Sequence, residues 1–153
     1  MRPEIRPMTF DDLERAPNFD ALQDEYASES SLDGLGRARA QMAMYKALEA
    51  AGTVQLIGAF VGGVLVGFVT VMASELPHYG ARVAVTESLF VAAAHRATGA
   101  GLMLLTAAED AATEMGAVGL FVSAPTGGAL ATVMAGMKAY RDTNRVFFKG
   151  LAS

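Results

Sequence analysis

The stretch Val91-Ala-Ala-Ala-His-Arg96-Ala-Thr-Gly99-Ala-Gly101 constrains this chain more than any other, because it lies between an alternating strand pattern and an amphipathic helix pattern. A strand must stop there, turn, and feed a helix within a few residues, and the two glycines supply the turn. The helix that follows begins with backbone N–H groups that have no intrahelical partner, at the positive end of its dipole. Such a turn suits an anion. Two glycines and an arginine also satisfy a purely structural connection, so the motif alone leaves both readings open.

The whole chain narrows the field. With 153 residues and 52% hydrophobic content, it fits a single domain spanning 1–153 with a real core. It has no cysteine, which excludes thiol nucleophiles, disulfides and cysteine zinc sites. The only imidazoles are His78 and His95, so no metal site is expected. The net charge of −4 and the scattered bases leave no stripe for a phosphodiester backbone, so nucleic acid is not an expected partner. Met1 to Phe10 lacks the basic-then-apolar pattern of a secretory signal, which points to the cytoplasm.

Val54 to Ala73 runs through 20 residues without a charge, about the length of a membrane span. Its Val, Ile, Phe and Thr content and the central Gly62-Gly63 pair instead predict a β-hairpin over about Thr53–Val61 and Val64–Ser74, and no membrane partner. Pairing across that turn sets Gly58 opposite Gly67 and Gln55 opposite Thr70. Before it, Glu4 to Pro7 reads as a short extended start, followed by a helix capped near Thr9 or Asp11 and a second helix over about Leu35–Ala51, ended by Gly52.

Arg82 to Val91 alternates, with Val83, Val85, Glu87, Leu89 and Val91 on one face and Ala84, Thr86, Ser88 and Phe90 on the other. That places Glu87 on an apolar face. Gly101 to Met115 reads as a helix with Thr106, Glu109, Asp110 and Thr113 in a polar stripe opposite Leu102, Leu105, Ala108 and Ala112, and Gly116 is its C-terminal cap. A strand over Val118–Ser123, a helix near Gly128–Lys138 and a closing strand near Arg145–Lys149 complete the chain. The strand–helix–strand unit makes its two strands parallel, so the expected fold is α/β (α+β), with a mixed sheet.

An antiparallel hairpin, then Glu87-Ser-Leu-Phe-Val91 leading into Arg96-Ala-Thr-Gly99-Ala-Gly101, then helix and strand, resembles the GNAT superfamily of N-acetyltransferases over nearly the whole chain. A proline frequent in that family before the arginine is replaced here by Ala93. The resemblance implies a mostly antiparallel central sheet with helices on both faces and a β-α-β unit that binds acyl-CoA. It implies that acetyl-CoA is the co-substrate, held by Leu89, Phe90 and Val91 on the strand and by Arg96, Ala97, Thr98, Gly99, Ala100 and Gly101 at the turn. The N–H of Val91 would hold the thioester oxygen. A dinucleotide fingerprint would want glycine where Leu104 stands, and no Gly-Lys-Ser/Thr tripeptide of a nucleotide P-loop exists.

Acyl transfer to a primary amine needs the amine neutral, although a lysine-like ammonium has a pKa near about 10.4. Glu87 is the candidate base, since partial desolvation on an apolar face would improve it as a proton acceptor; an ion pair with Arg82 or Arg96 is the bland alternative. Relatives often carry a tyrosine as proton donor to the thiolate, and here Met134 or Ala135 holds that place. Ser123 and Tyr140 are the remaining donors. Eight of the sixteen acids lie between Asp11 and Asp33 against the one base Arg15, a local balance of −7 that favours a cationic small-molecule or protein amine as acceptor. The other function class is a non-catalytic acyl-CoA-binding or protein-interaction module of the same fold. Exposed strand edges in such a domain suit a homodimer.

Overall fold

The computed structural model describes residues 1–36 and 38–151. Five strands form one sheet in the order β1-β2-β3-β4-β5: β1 (Glu4–Met8), β2 (Val54–Val61), β3 (Val64–Leu76), β4 (Ala81–Val91) and β5 (Leu120–Val122). All neighbours are antiparallel except β4 and β5, which run parallel. The mixed, mostly antiparallel sheet expected from the sequence is therefore present, with helices on both of its faces.

One face carries α4 (Ala100–Glu114), whose buried stripe of Ala100, Leu104, Leu105, Ala108, Ala111 and Ala112 meets Ile57, Ala59, Val69, Val71 and Val91 of the sheet. Leu102, expected in that stripe, is instead 54% exposed. The other face carries α1 (Phe10–Arg15), α2 (Phe19–Ser30) and α3 (Met42–Ala50), gathered on Phe10, Leu13, Leu22, Leu56, Leu65, Phe68 and Phe90. Each fully buried Phe or Leu contributes roughly 1.5–3 kcal/mol by leaving water. α1 starts at a capping box: Asp12 N donates to Thr9 Oγ1 and Thr9 N donates to the Asp12 carboxylate, both at 3.0 Å. Phe10 N donates to the Glu49 carboxylate at 3.0 Å and so ties α1 to α3.

Several sequence expectations are corrected. The helix expected over Leu35–Ala51 begins at Met42. Leu32 and Gly36 close a turn in which Gly34 and Gly36 have φ of +92° and +81°, incompatible with a helix start at Leu35; Arg37, within the expected span, lies outside the described residues. The hairpin turns at Gly62-Gly63 as expected, but a bulge after Ala59 sets Ala59 opposite Gly67 and Gly58 opposite Phe68, with Gln55 opposite Val71. The extra residue on β3 shifts every pair beyond it by one.

The expected closing strand at Arg145–Lys149 is not a strand: Val146 and Phe147 are exposed, and the chain instead passes beside Gly34, where an added Cβ would meet the Phe148 ring at 2.9 Å. β-branched and aromatic residues make a strand only against a partner edge, and this segment pairs with none of the five strands. α5 is shorter than expected, Ala129–Ala135.

Candidate functional site

β4 is the strand on which the site is built, and its two halves differ. A second bulge, between Thr70 and Val71 of β3, sets Thr70 opposite Ser88 and Val71 opposite Thr86, leaving Glu87 without a cross-strand partner. The alternation of β4 therefore flips at Glu87. Ala84 before it and Leu89 and Val91 after it face α4, while Glu87 and Ser88 both turn toward Thr70 and α3. The expectation that Glu87 shares an apolar face with Val83, Val85, Leu89 and Val91 is corrected in its second half by this bulge, which keeps Val83 and Val85 on the Glu87 side and turns Leu89 and Val91 to the α4 side. Nor is Glu87 buried; its side chain is exposed.

Glu87 is instead positioned by hydroxyls. Tyr45 of α3 donates to its two carboxylate oxygens at 2.8 and 2.9 Å, and Thr70 Oγ1 donates to Oε2 at 2.7 Å. Because the single Thr70 proton is engaged there, the 2.7 Å contact between Thr70 and Ser88 has Ser88 as donor, and Ser88 N also donates to Thr70 Oγ1 at 2.9 Å. The result is a directed chain from Ser88 through Thr70 to the carboxylate. Burial first, then the Glu87 charge and the hydrogen bond to it, push the Tyr45 hydroxyl far above its usual range, which keeps it a donor. Tyr26 is shifted upward by the same two influences, burial and the Glu87 charge. Arg82 and Arg96, the alternative partners, go elsewhere: Arg82 to Glu75 at 3.2 Å and to the Met115 carbonyl at 2.7 Å, Arg96 to Glu29.

These groups line a cavity of about 210 Å³ between the sheet and the helices α1 to α3. Its walls are Phe10, Phe19, Tyr26, Tyr45 and Phe68, with Gln23 and the 38–40 loop segment at the side. Phe10 and Tyr45 stack at 4.7 Å, and Tyr26 packs edge-on against Phe68 and Phe90 at 5.6 and 5.4 Å, so the wall rings pack on one another.

On the other side of β4 the sheet opens. β5 pairs with β4 only at Ala84, Val85 and Thr86, and leaves at Ser123, whose N–H reaches Thr86 Oγ1 at 3.3 Å. β4 continues to Val91 without it. Ala92 N donates to Val66 O at 2.8 Å, so by strand alternation Phe90 faces β3 and the N–H groups of Leu89 and Val91 point into the gap that β5 has left.

Beyond the gap a 3-10 turn, Ala93–Thr98, carries the chain to Gly99, whose φ of +87° an L side chain adopts only under strain. α4 begins at the next residue. Ala100 N has a long 3.3 Å contact to Thr98 Oγ1, and the N–H groups of Gly101 and Leu102 have no intrahelical partner. A Cβ at Gly99 would meet nothing within 4 Å, so the turn is open on the side where an anion would approach. Ala100 buries its methyl completely and offers only its main chain.

Arg96 shapes this turn from outside it. Its Nε donates to Val91 O at 2.9 Å, its terminal nitrogen donates to Glu29 Oε1 at 2.7 Å, and it lies 5.6 Å from the Phe90 ring. Ala93 N donates to the Glu25 carboxylate at 3.2 Å. Two acids of α2 thus hold the turn in place. Three of the other six acids from the −7 stretch are seen engaged as well: Lys46 pairs with Asp11 and Glu14, both at 2.9 Å, and Arg15 with Asp12 at 3.5 Å.

The two expected proton donors are not brought together with Glu87. Tyr140 donates to Glu109 in the third turn of α4 at 3.2 Å; burial, then the Glu109 charge and hydrogen bond, push its hydroxyl up to about 12. Ser123 is exposed where β4 and β5 part. Sequence reasoning missed Tyr45, Thr70 and Ser88. The two hydroxyls on otherwise apolar buried strands were a legible signal; Tyr45 had none, since only the fold brings it to Glu87.

A sequence model described as the acetyltransferase (GNAT) family matches residues 16–133. No curated protein sequence matches. Solved structures do. A ribosomal-protein-alanine N-acetyltransferase from Brucella melitensis biovar Abortus 2308 is 23% identical, with a TM-score of 0.70 over 96% of this chain and 98% of its own. An aminoglycoside acetyltransferase from an uncultured soil metagenomic sample, in complex with sisomicin, is 20% identical, with a TM-score of 0.72 over 98% and 97%. The aminoglycoside N-acetyltransferase AAC(6')-Iy, in complex with the bisubstrate analogue CoA-S-monomethyl-acetylneamine, is 19% identical, with a TM-score of 0.72 over 97% of each chain. At these identities the likeness is one of fold.

Proposed function

This chain belongs to the acetyltransferase (GNAT) family, and from that premise we propose that it moves the acetyl group of acetyl-CoA to a primary amine by direct attack. The observation that carries this reading is that one strand, β4, has an open stretch of main chain on one side and an aromatic pocket with a carboxylate in its lining on the other.

The cradle fits the co-substrate. The N–H groups at Gly99 to Leu102 would receive the pyrophosphate, with Gly99 allowing the main chain to approach and the α4 dipole favouring the charge. Ala97, Thr98 and Ala100 contribute main chain, and Arg96 acts by shaping the turn. Leu89 and Phe90 belong to the strand that would face the pantetheine arm, and Val91 N–H would hold the thioester oxygen. Acetyl-CoA supplies an activated acyl group with a thiolate as leaving group.

Glu87 takes the proton from the amine, directly or through water, at a carboxylate whose position Tyr45 and Thr70 hold from two sides. The departing thiolate, with a reference pKa near about 8.5, needs no strong acid. This reading therefore gives Ser123 and Tyr140 at most a minor share in proton donation. The chain is read as a cytoplasmic protein that forms a homodimer.

Release of CoA from acetyl-CoA in the presence of a panel of primary amines tests the reading. Amine-dependent CoA release is expected. Stabilisation of the fold by acetyl-CoA with no amine-dependent release would instead mark a binding module.

A further inference from the structure

Among the described residues, the pocket is lined by two charged side chains of opposite sign, borne on different elements: Glu87 on β4 and Arg39 in the loop between α2 and α3. Every other described lining residue is apolar, aromatic or uncharged polar. Glu87 is met by hydroxyls and not by a cation. Arg39 is exposed and, among the described residues, forms no ion pair. Four of the neighbouring acids, Glu25, Glu29, Asp11 and Glu14, already have partners. The charge pattern inside is therefore one negative and one positive group with apolar walls between them.

Size narrows the occupant further. A cavity of about 210 Å³ holds roughly seven water volumes at about 30 Å³ each. That suits a slender molecule of about seven to ten non-hydrogen atoms, and a polycation would set further positive charge against Arg39.

We propose, resting on the acetyl-transfer reading above, that the acceptor is a small aminocarboxylate, with its amine at Glu87, its carboxylate at Arg39 and its carbon frame between Phe10, Tyr26, Tyr45 and Phe68. Arg39 is then a specificity-determining residue. Its guanidinium holds the carboxylate, and the amine at the other end is presented to the base.

The full chain is tested with linear ω-aminocarboxylates, each beside its primary amide, reading both CoA release and thermal stabilisation of the fold. The carboxylates are expected to show KM about 10- to 100-fold below their amides, the range of one charged hydrogen bond. Arg39→Ala should raise KM for the carboxylates to that of the amides, with kcat kept within about twofold; Arg39→Lys should restore part of the difference, and Arg39→Glu should reverse the preference. Equal KM for carboxylates and amides, or an Arg39→Ala effect that is the same for both, overturns the proposal. Arg39-dependent stabilisation by the carboxylates without any CoA release would overturn acetyl transfer and support the pocket assignment. Release with the amides alone would do the reverse, and neither release nor stabilisation would sink both.

Discussion

The two sides of β4 are built from different materials. The cradle side is main chain: the amides of Leu89 and Val91 left bare where β5 departs, then Gly99 and the first turn of α4. The pocket side is side chain: Glu87 aimed by a bulge, Tyr45 from α3, Thr70 and Ser88 from two strands, and aromatic walls from α1 and α2. Main-chain recognition tolerates change in side chains and suits a co-substrate that every reaction cycle shares. Side-chain recognition changes with single substitutions and suits an acceptor. The comparison implies that substitutions on one side leave the other side's binding intact.

The largest separation is expected at Glu87. Glu87→Gln keeps the hydrogen bonds from Tyr45 and Thr70 but removes the proton acceptor, so kcat should fall about 10²- to 10⁴-fold, with acetyl-CoA affinity within about twofold. Steady-state CoA release and a binding titration on the same preparation check both. Loss of acetyl-CoA binding in that variant would break the division between the two sides.

Smaller effects are expected from the groups that hold the base. Thr70→Val and Tyr45→Phe each remove one hydrogen bond to the carboxylate, of about 1.5–3 kcal/mol for a charged acceptor, and should lower kcat about 10-fold or more while leaving acetyl-CoA affinity unchanged. A change in co-substrate affinity matching the change in kcat would mean that the chain of hydroxyls supports the sheet as a whole.

Tyr45 carries a second signature. Its hydroxyl holds its proton more tightly in the fold than in the unfolded chain, because of burial and the Glu87 charge, and Tyr140 behaves alike, pushed up to about 12 by burial and Glu109. That stability is fully present below about pH 10, the ordinary tyrosine pKa, and is lost as pH rises through the folded values. Tyr45→Phe should therefore flatten the fall in melting temperature between about pH 10 and 12. An unchanged slope would show that the hydroxyl is as free in the fold as out of it. The smallest effects are expected at the two remaining hydroxyls: Ser123→Ala and Tyr140→Phe should keep kcat within about twofold, because a thiolate of reference pKa about 8.5 leaves unaided. A large loss in either would identify a proton donor.

This difference in material also decides what could be read in the sequence. The strand-to-helix turn was legible because Gly99 and Gly101 mark it, and a local turn is written in consecutive residues. The hairpin at Gly62-Gly63 and the parallel β4–β5 pair were legible for the same reason. Bulges were not: each inserts one residue into a pairing register, and alternation alone cannot say on which strand, so the pairing of Gly58 and the facing of Leu89 and Val91 relative to Glu87 both came out one step wrong. Tyr45 lies 42 positions before Glu87, and only the packing of α3 on Phe10 joins them. Arg145–Lys149 shows the opposite error, strand propensity without a partner edge.

The most direct test of the account is a calorimetric titration of acetyl-CoA into Gly99→Val, on protein whose own melting transition stays cooperative. A valine there strains a φ of +87° and sets methyl groups where the proposed reading brings the pyrophosphate to the main chain. The account predicts affinity weaker by about tenfold or more, the loss of at least one charge-assisted hydrogen bond. Affinity equal to that of the natural chain would contradict the claim that these amides hold the co-substrate.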